Sequence, residues 1–426
     1  MLHRLQHNSF GYFVHEVNRA NGLVLDKTAE AWPASIAAVG MALSCYPVGV
    51  ERGFMSRHAA LERTQTCLRF FADSDQSGAS DASGYKGFYF HFLDMQSGRR
   101  AWRCELSSID TALFIAGCLA AGSYFDRDDA GEAEIRRLSR LLYERVDWAW
   151  MLNGGPALSH GWTPESGFLP YRWQGYDEAL ILYAMALGSP TYAIDRPAYA
   201  AWTERFDWRR IEGIEQLHAA PLFIHQMSQV WLDLRGIRDR FMRARDCDYF
   251  ENSRRATLAQ QRYAMRNPLG WRRYGELCWG ITASDGPGEV RCEAGGIERV
   301  FHDYLARGVP FGPDDGTLAP WAVVASLPFA PEIVLPSVRH FNHLKLHTAN
   351  PYGFKASFNA SFPCDTQHPA GWVSPYHFGI NEGPTVLMIE NFRSGLVWRL
   401  MRGCKPLVAG LKAAGFDGGW LASSIG

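Results

Sequence analysis

The chain has 426 residues, 47% hydrophobic and 20% charged, the balance of a protein that buries a large core. Its 43 basic and 44 acidic side chains leave a net charge of −1, and no basic stripe offers a counterion-release footprint, so nucleic acid is not an expected partner. The opening MLHRLQHNSFGYF holds no apolar run long enough for an export signal or a membrane span, so a cytoplasmic protein with no membrane partner is expected, or a periplasmic one if a signal has been removed.

Apolar periodicity predicts helices over 28–46, 56–72, 107–125, 129–150, 174–187, 196–204, 221–234 and 246–266. Their ends carry chemical signposts. Ser56 stands as N-cap before RHAALERTQTCLRFF, Gly188, Ser189 and Pro190 close the helix at 174–187, and Gly53 and Gly122 follow or interrupt others. The segment DSDQSGASDASG, 73–84, reads as a flexible loop. Beyond residue 266 loops become more frequent, with helices resuming over 321–329, 331–343 and 384–398. The helices at 108–121 and 174–187 are apolar on every side, as buried helices are. About twelve helices, some of them fully apolar, predict an all-α fold: a single (α/α)6 toroid with an inner and an outer ring and long cleft-forming loops. No composition break divides the chain, so one domain over 1–426 is expected.

Three acidic sites carry the candidate chemistry. In WQGYDEALILYAMALG, Asp177 and Glu178 fall in the predicted first turn of an apolar helix. Acids there complement the positive helix end and cap free N–H groups, which accounts for one of them. Inner helix ends of a toroid line its central cavity, where Glu178 could protonate a glycosidic oxygen. In CELSSIDTALFIAG, Ser107 as N-cap and Asp110 three residues on form a variant capping box, while Glu105 adds an acid with no structural task in the pattern. In FGINEGPTVLMIENFRSGLVW, Pro384 suits the first helical position, so Glu382 lies just before the helix as a cap or a site group. Glu390 falls inside it and needs a partner, for which Arg393 is placed.

The 15 Trp, 17 Tyr and 25 Phe recur beside Gly, Pro and polar residues, as in RAWRCE, HGWTPESGFLPYRWQGYDE and GWVSPYHFG. Most big rings serve a core. Rings in loops can instead stack on the apolar faces of sugars, and Trp162, Trp173 and Trp372, with Tyr176 and Asp177, are the candidate substrate-binding set around one cleft. Nine Cys include no C-x-x-C, and no Cys/His pairs have zinc spacing; Cys45, Cys67 and Cys118 read as buried thiols. No metal or cofactor is expected. Phosphate-loop and G-x-S-x-G patterns are absent.

Seven separated stretches occur in the order of a known family: ASIAAVGMALSCYPVGVERGFMSR, GFYFHFLDMQSGRRAWRCELSSIDTALFIAG, WQGYDEALILYAMALGSPTY, WGITASDGP, GTLAPWAVVASLPFAPE, YGFKASFN and NEGPTVLMIENFRSGLVW. From about residue 8 to 402 the chain resembles the glycoamylase-like family of bacterial (α/α)6 toroid glycoside hydrolases, which includes endo-β-1,2-glucanases and is related to a domain of cyclic β-1,2-glucan synthases. The resemblance implies Glu178 of GYDEA as general acid, with Glu105 and Asp110 of ELSSIDT lining the cleft. The chain departs from the pattern at INEGP, with Asn381 and Glu382 where many relatives carry Asp-Gln. A hydrolase of β-linked glucan, β-1,2 first, working on an oligosaccharide or polysaccharide with Glu178, Asp110, Glu105 and Glu382 as its acids, is the expected function. A transglycosylase using the same acids and a non-catalytic glucan-binding toroid are the alternatives.

Overall fold

The structure, a computed structural model, describes residues 1–348 and 350–422. It is largely helical, and as far as Gly379–Arg393 most of the longer helices alternate along the chain between two kinds. Ile36–Glu51, Ser108–Tyr124, Leu180–Gly188, Pro320–Ala325 and Gly379–Arg393 are buried on almost every side. Arg57–Asp73, Ala130–Glu144, Arg196–Thr203, Tyr249–Arg266 and Pro331–His343 bury one stripe and leave the rest to water. In Arg57–Asp73 that stripe is Ala60, Thr64, Cys67, Leu68 and Phe71, the three-and-four spacing of one helix face. Leu2–His15, which the sequence pattern did not single out, packs on Gly379–Arg393 as a further helix of this second kind.

Packing rather than propensity makes the buried helices. Leu180–Gly188 has nine residues, too few for a stable helix in water, but each of Leu180 to Leu187 is buried, and a buried Leu, Ile or Met contributes roughly 1.5–3 kcal/mol. Ile36–Glu51 lies against Ser108–Tyr124 and Gly379–Arg393, and Ser108–Tyr124 against Leu180–Gly188. Where the first two cross, the backbones touch. A Cβ on Gly117 would lie 2.2 Å from the Gly40 carbonyl oxygen, and one on Gly40 2.3 Å from that of Leu113, so only glycine fits at either position. Cys45, Cys67 and Cys118 are buried free thiols.

Several boundaries differ from the sequence expectation. The helix expected over 28–46 starts at Ile36, because Pro33 disfavours helical backbone before it and Ser35 takes the N-cap. The helix expected over 221–234 is two 3-10 turns, Leu222–His225 and Met227–Val230. The helix expected from 384 starts at Gly379 and holds Pro384 inside it, where burial offsets the lost backbone bond. The segment 73–84 is not loose: Asp75 accepts from the Ser77 amide (2.8 Å), Ser83 Oγ donates to the Gly98 carbonyl (2.7 Å), and Gly84 pairs with Tyr89.

Strands are two to five residues long, and three of them lead straight into buried helices: Ala34–Ser35 into Ile36–Glu51, Leu106–Ser107 into Ser108–Tyr124, and Thr317–Leu318 into Pro320–Ala325. One antiparallel sheet runs Gly84–Tyr85, Phe88–Phe90, Leu106–Ser107, Gly161–Thr163, Gly167–Phe168, with Phe90 opposite Leu106 and Leu106 opposite Trp162. A second joins Thr317–Leu318, Phe358–Asn359 and Trp372–Val373. Among the described residues, no helix is long and apolar enough to cross a membrane.

Candidate active site

The first sheet sets up the site. His91 follows its strand Phe88–Phe90 and Glu105 precedes Leu106–Ser107, so register places the two side by side, while His160, which precedes Gly161–Thr163, falls opposite Ser108 at the other end of the middle strand. They line a cavity of ≈ 500 Å³ that the buried helices also reach with their first residues. Ser35 comes from the start of Ile36–Glu51, Ser107 and Asp110 from Ser108–Tyr124, Trp321 from Pro320–Ala325, and Phe378, Ile380 and Asn381 from Gly379–Arg393. Glu178 enters two residues ahead of Leu180–Gly188, outside the first turn that the sequence suggested.

The two neighbouring acids have different fates. Asp177 is turned away from the cavity, where its Oδ1 accepts from the Ala179 amide (3.0 Å) and Trp202 Nε1 (2.8 Å). Its carboxyl pins the turn before the helix, and burial raises its pKa against the pull of those two hydrogen bonds. Glu178 faces the cavity with no side-chain hydrogen bond to its carboxyl among the described residues. Ser228 Oγ fixes its backbone by donating to the Glu178 carbonyl (2.7 Å) and accepting from the Ile181 amide (3.1 Å). Burial first, then the charges of Asp177 and Asp110, push the Glu178 carboxyl up to about 8, so it holds its proton at neutral pH.

On the sheet side a histidine stands between two acids and keeps Glu105 charged. His91 Nδ1 lies 2.9 Å from Glu105 Oε1, its Nε2 faces Asp110 Oδ2 at 3.6 Å, and the ring stacks on Phe92 at 3.9 Å. Burial opposes a charge on this imidazole, but Asp110, Glu105 and Asp26 outweigh it and raise His91 to about 9. Burial also pushes Glu105 up, yet the hydrogen bond and charge of His91 carry it below the ordinary range. Asp110 Oδ2 accepts from Ser107 Oγ (2.6 Å), which accepts from the Asp110 amide (3.1 Å). The Ser107 half of the capping box read from the sequence is therefore present, while the Asp110 carboxylate meets the Ser107 hydroxyl instead of its backbone N–H and lines the cavity. His91, Glu105 and Asp110 each bring one ligand-type atom within 4.8 Å of the others. Both nitrogens of the imidazole face carboxylates, and the three side chains form an ion triad.

Glu382 does not join them. With the helix starting at Gly379, it is the fourth helical residue and is turned into the core, where its Oε1 pairs with His377 Nδ1 at 2.8 Å beside a separate pocket of ≈ 10 Å³. Asn381, one residue earlier, faces the main cavity instead.

The aromatic set also changes. Trp173 lines the cavity, its ring stacked on His160 at 3.9 Å and its Nε1 donating to Ser108 Oγ (2.9 Å). Trp162 does not line it and packs between Tyr85 and Trp150, centroids 5.4 and 5.8 Å away. Trp372 is held in the second sheet opposite Asn359, and Tyr176 packs on Phe206, His225 and Tyr249, both outside the lining. Strand alternation and the turn at Asp177 send Trp162 and Tyr176 into packing, while Trp372 stays half-buried in its sheet. The wall is completed by Trp32, Phe92, Trp102, Phe223, Tyr304 and Trp321. Of these only Trp102 stood in a stretch, RAWRCE, whose pattern signalled a loop ring. His91 and Asp26, which also line the cavity, carried no sequence signal, since each gains its place through chain segments distant in sequence.

Buried helices that open on one aromatic-walled cavity, with acids at their first residues, define the class. The chain belongs to the Glycoamylase family, described as "Putative glucoamylase", whose model matches residues 170–405, more than half of its length. It is similar to the exo-β-1,2-glucooligosaccharide sophorohydrolase (non-reducing end) of Parabacteroides distasonis, 26% identical over 436 aligned residues that cover 94% of this chain and 56% of that protein. The chain thus spans about half the length of this curated relative. A solved Bacteroides uniformis protein described as a "putative glucoamylase" matches with a TM-score of 0.86 at 29% identity, covering 98% of this chain and 97% of that one. The endo-β-1,2-glucanase of Chitinophaga pinensis, solved with sophorotriose and glucose, matches with a TM-score of 0.83 at 25% identity, covering 98% and 97%.

Proposed function

We propose that the protein is a glycoside hydrolase that cleaves a β-linked glucan, β-1,2-linked in the first place, and that its chain forms a single (α/α)6 toroid domain. In this reading the five buried helices and the two 3-10 turns at 222–230 form the inner ring, and the half-buried helices, Leu2–His15 included, form the outer one. The alternation along the chain supports the assignment, as does the cavity at the beginnings of the inner elements.

Hydrolysis of a glycoside needs one carboxyl that can give a proton to the leaving oxygen and one carboxylate that activates water or attacks carbon. Glu178 takes the first role: its proton passes to the glycosidic oxygen as the C–O bond breaks. Asp110 and Glu105, the latter held charged by His91, take the second and receive the proton lost by the attacking water. Glu382 has no part in this chemistry, and Asp177 acts on Glu178 only through charge and position. The observation that carries the reading is one cavity holding both an acid that keeps its proton and a carboxylate that does not.

The linkage rests on the similar proteins of Parabacteroides distasonis and Chitinophaga pinensis, both named for β-1,2-glucans or their oligosaccharides. Incubation with β-1,2-, β-1,3-, β-1,4- and α-linked glucans, followed by product analysis, tests it. Short β-1,2-oligosaccharides released from the β-1,2 polymer are expected. Cleavage of an α-linked glucan with the β-1,2 polymer left intact would overturn the linkage, and inertness toward every glucan would overturn the hydrolase.

A further inference from the structure

We propose that Trp102, with Trp32 beside it, is a fixed aromatic platform at the mouth of the cavity on which a glucosyl unit of the substrate chain stacks, setting how strongly longer chains are held. The proposal rests on the hydrolase reading.

Trp102 lines the cavity and is 55% exposed, an unusual state for so large an apolar ring. Its backbone is not relaxed either. Trp102 and Arg103 both have a φ of 53°, in the left-handed region that residues with a side chain avoid. Arg100 holds them there. Its side chain, 1% exposed, donates to the carbonyls of Cys104 (2.6 Å) and Arg103 (2.7 Å) and pairs with Glu165 at 2.7 Å.

A second turn, about seventy residues earlier in the chain, meets the first in the same way. Ala31, also at a φ of 53°, leads into Trp32, whose ring meets Trp102 edge to face at 4.6 Å. Trp32 is fixed by its Nε1 donating to Asp26 Oδ2 (3.0 Å) and by the Lys27 ammonium 4.4 Å above its ring. Inward, Trp102 touches Phe92 at 5.2 Å, and Phe92 stacks on His91, so the platform lies one ring away from the ion triad.

Two turns with left-handed residues and a buried arginine thus keep an indole in water where core packing does not require one. Strain and exposure maintained together at a cavity mouth mark a surface shaped for a ligand. An uncharged sugar ring suits it, because its C–H face covers the indole while Lys27, which lines the cavity, stands near for hydroxyls.

Binding of β-1,2-glucooligosaccharides of increasing length is measured by calorimetry in the Glu178→Gln background, with and without Trp102→Ala or Trp102→Phe, and kcat and KM are measured for the Trp102 variants alone. Trp102→Ala is expected to weaken binding and raise KM about tenfold for long chains, the size of a truncated binding aromatic, with kcat within about twofold. The effect should shrink as the chain shortens, and Trp102→Phe should restore most of the affinity. Unchanged binding, an equal loss at every chain length, or a Phe variant as weak as Ala would overturn the platform, and an unchanged melting temperature excludes misfolding as the cause. If Glu178→Gln with Trp102 intact binds no β-1,2 chain and the parent protein cleaves none, the hydrolase reading itself fails, and the platform falls with it.

Discussion

Glu178 and Glu390 both stand beside apolar helical sequence, and the molecule treats them in opposite ways. Glu390 is fully buried within Gly379–Arg393, where Arg52 (2.5 and 2.7 Å), Gln6 Nε2 (3.0 Å) and Ser394 Oγ (2.5 Å) all donate to its carboxylate. Burial pushes that carboxyl up, but Arg52, Ser394 and Gln6 outweigh it and leave it below the ordinary range. Glu178 has none of these partners, faces a cavity and is raised instead. A buried carboxylate with every oxygen satisfied is a strut. One without a side-chain partner beside a cavity retains a proton that it can give away.

The largest effect that can break this contrast is expected at Glu178. Glu178→Gln keeps the shape and removes the transferable proton, so kcat on the preferred glucan should fall about a hundredfold or more, with unfolding and sugar binding close to those of the parent. Because the acid works only while protonated, activity of the parent should decline as pH rises through about 8. Near-normal turnover in the Gln variant would reduce Glu178 to a structural residue.

The converse holds at the strut. Arg52→Met leaves Glu390 charged and buried without its main partner, and about 3 kcal/mol of stability should be lost while kcat stays within twofold, as read by urea unfolding and steady-state kinetics. The sign of its pH dependence follows from the depressed pKa of Glu390. The stabilisation is present above the ordinary carboxylate pKa and disappears as pH falls through the lower folded value, so parent and variant should converge in acid. Equal stability at neutral pH would mean that the pair is not a strut.

A smaller effect is expected at His91. In His91→Gln the cation that holds Glu105 below its ordinary range is gone, so kcat should drop about tenfold and the acidic limb of the pH profile should move upward. A lower rate with an unmoved limb would assign His91 to packing alone. The smallest is Trp162→Ala. With its ring packed between Tyr85 and Trp150, binding of oligosaccharides should change less than about twofold, against a much larger loss for a true stacking ring, and a strong loss would return Trp162 to the binding set.

Much of this was legible in the sequence. The all-round apolar runs over 108–121 and 174–187 marked buried helices, the second of which starts only at Leu180, and Ser56, Ser107 and Asp129 stand at the N-caps where polar residues precede apolar periodicity. Asp110, Glu105 and Glu178 were readable as acids close to helix starts. Those signals are local: a cap and a 3.6-residue period lie within a few turns of chain, so neighbouring residues suffice to express them.

What only the tertiary structure decided is where each side chain points and what it meets. Consecutive helical side chains point about 100° apart, so a helix that begins at Gly379 rather than Pro384 brings both residues into its period and sends Glu382 into the core and Asn381 to the cavity. The expected partner of Glu390 was Arg393, three residues away. Arg393 instead donates to Gln6 Oε1 (2.6 Å), and Arg52, 338 residues distant in sequence, takes its place. His91 reaches Glu105 through strand register, and Trp32 reaches Trp102 through two turns that sequence periodicity does not describe. Periodicity fixes which faces are apolar. It carries no information about which distant segment will satisfy a buried charge, because that is settled only when the packed helices and strands bring the segments together.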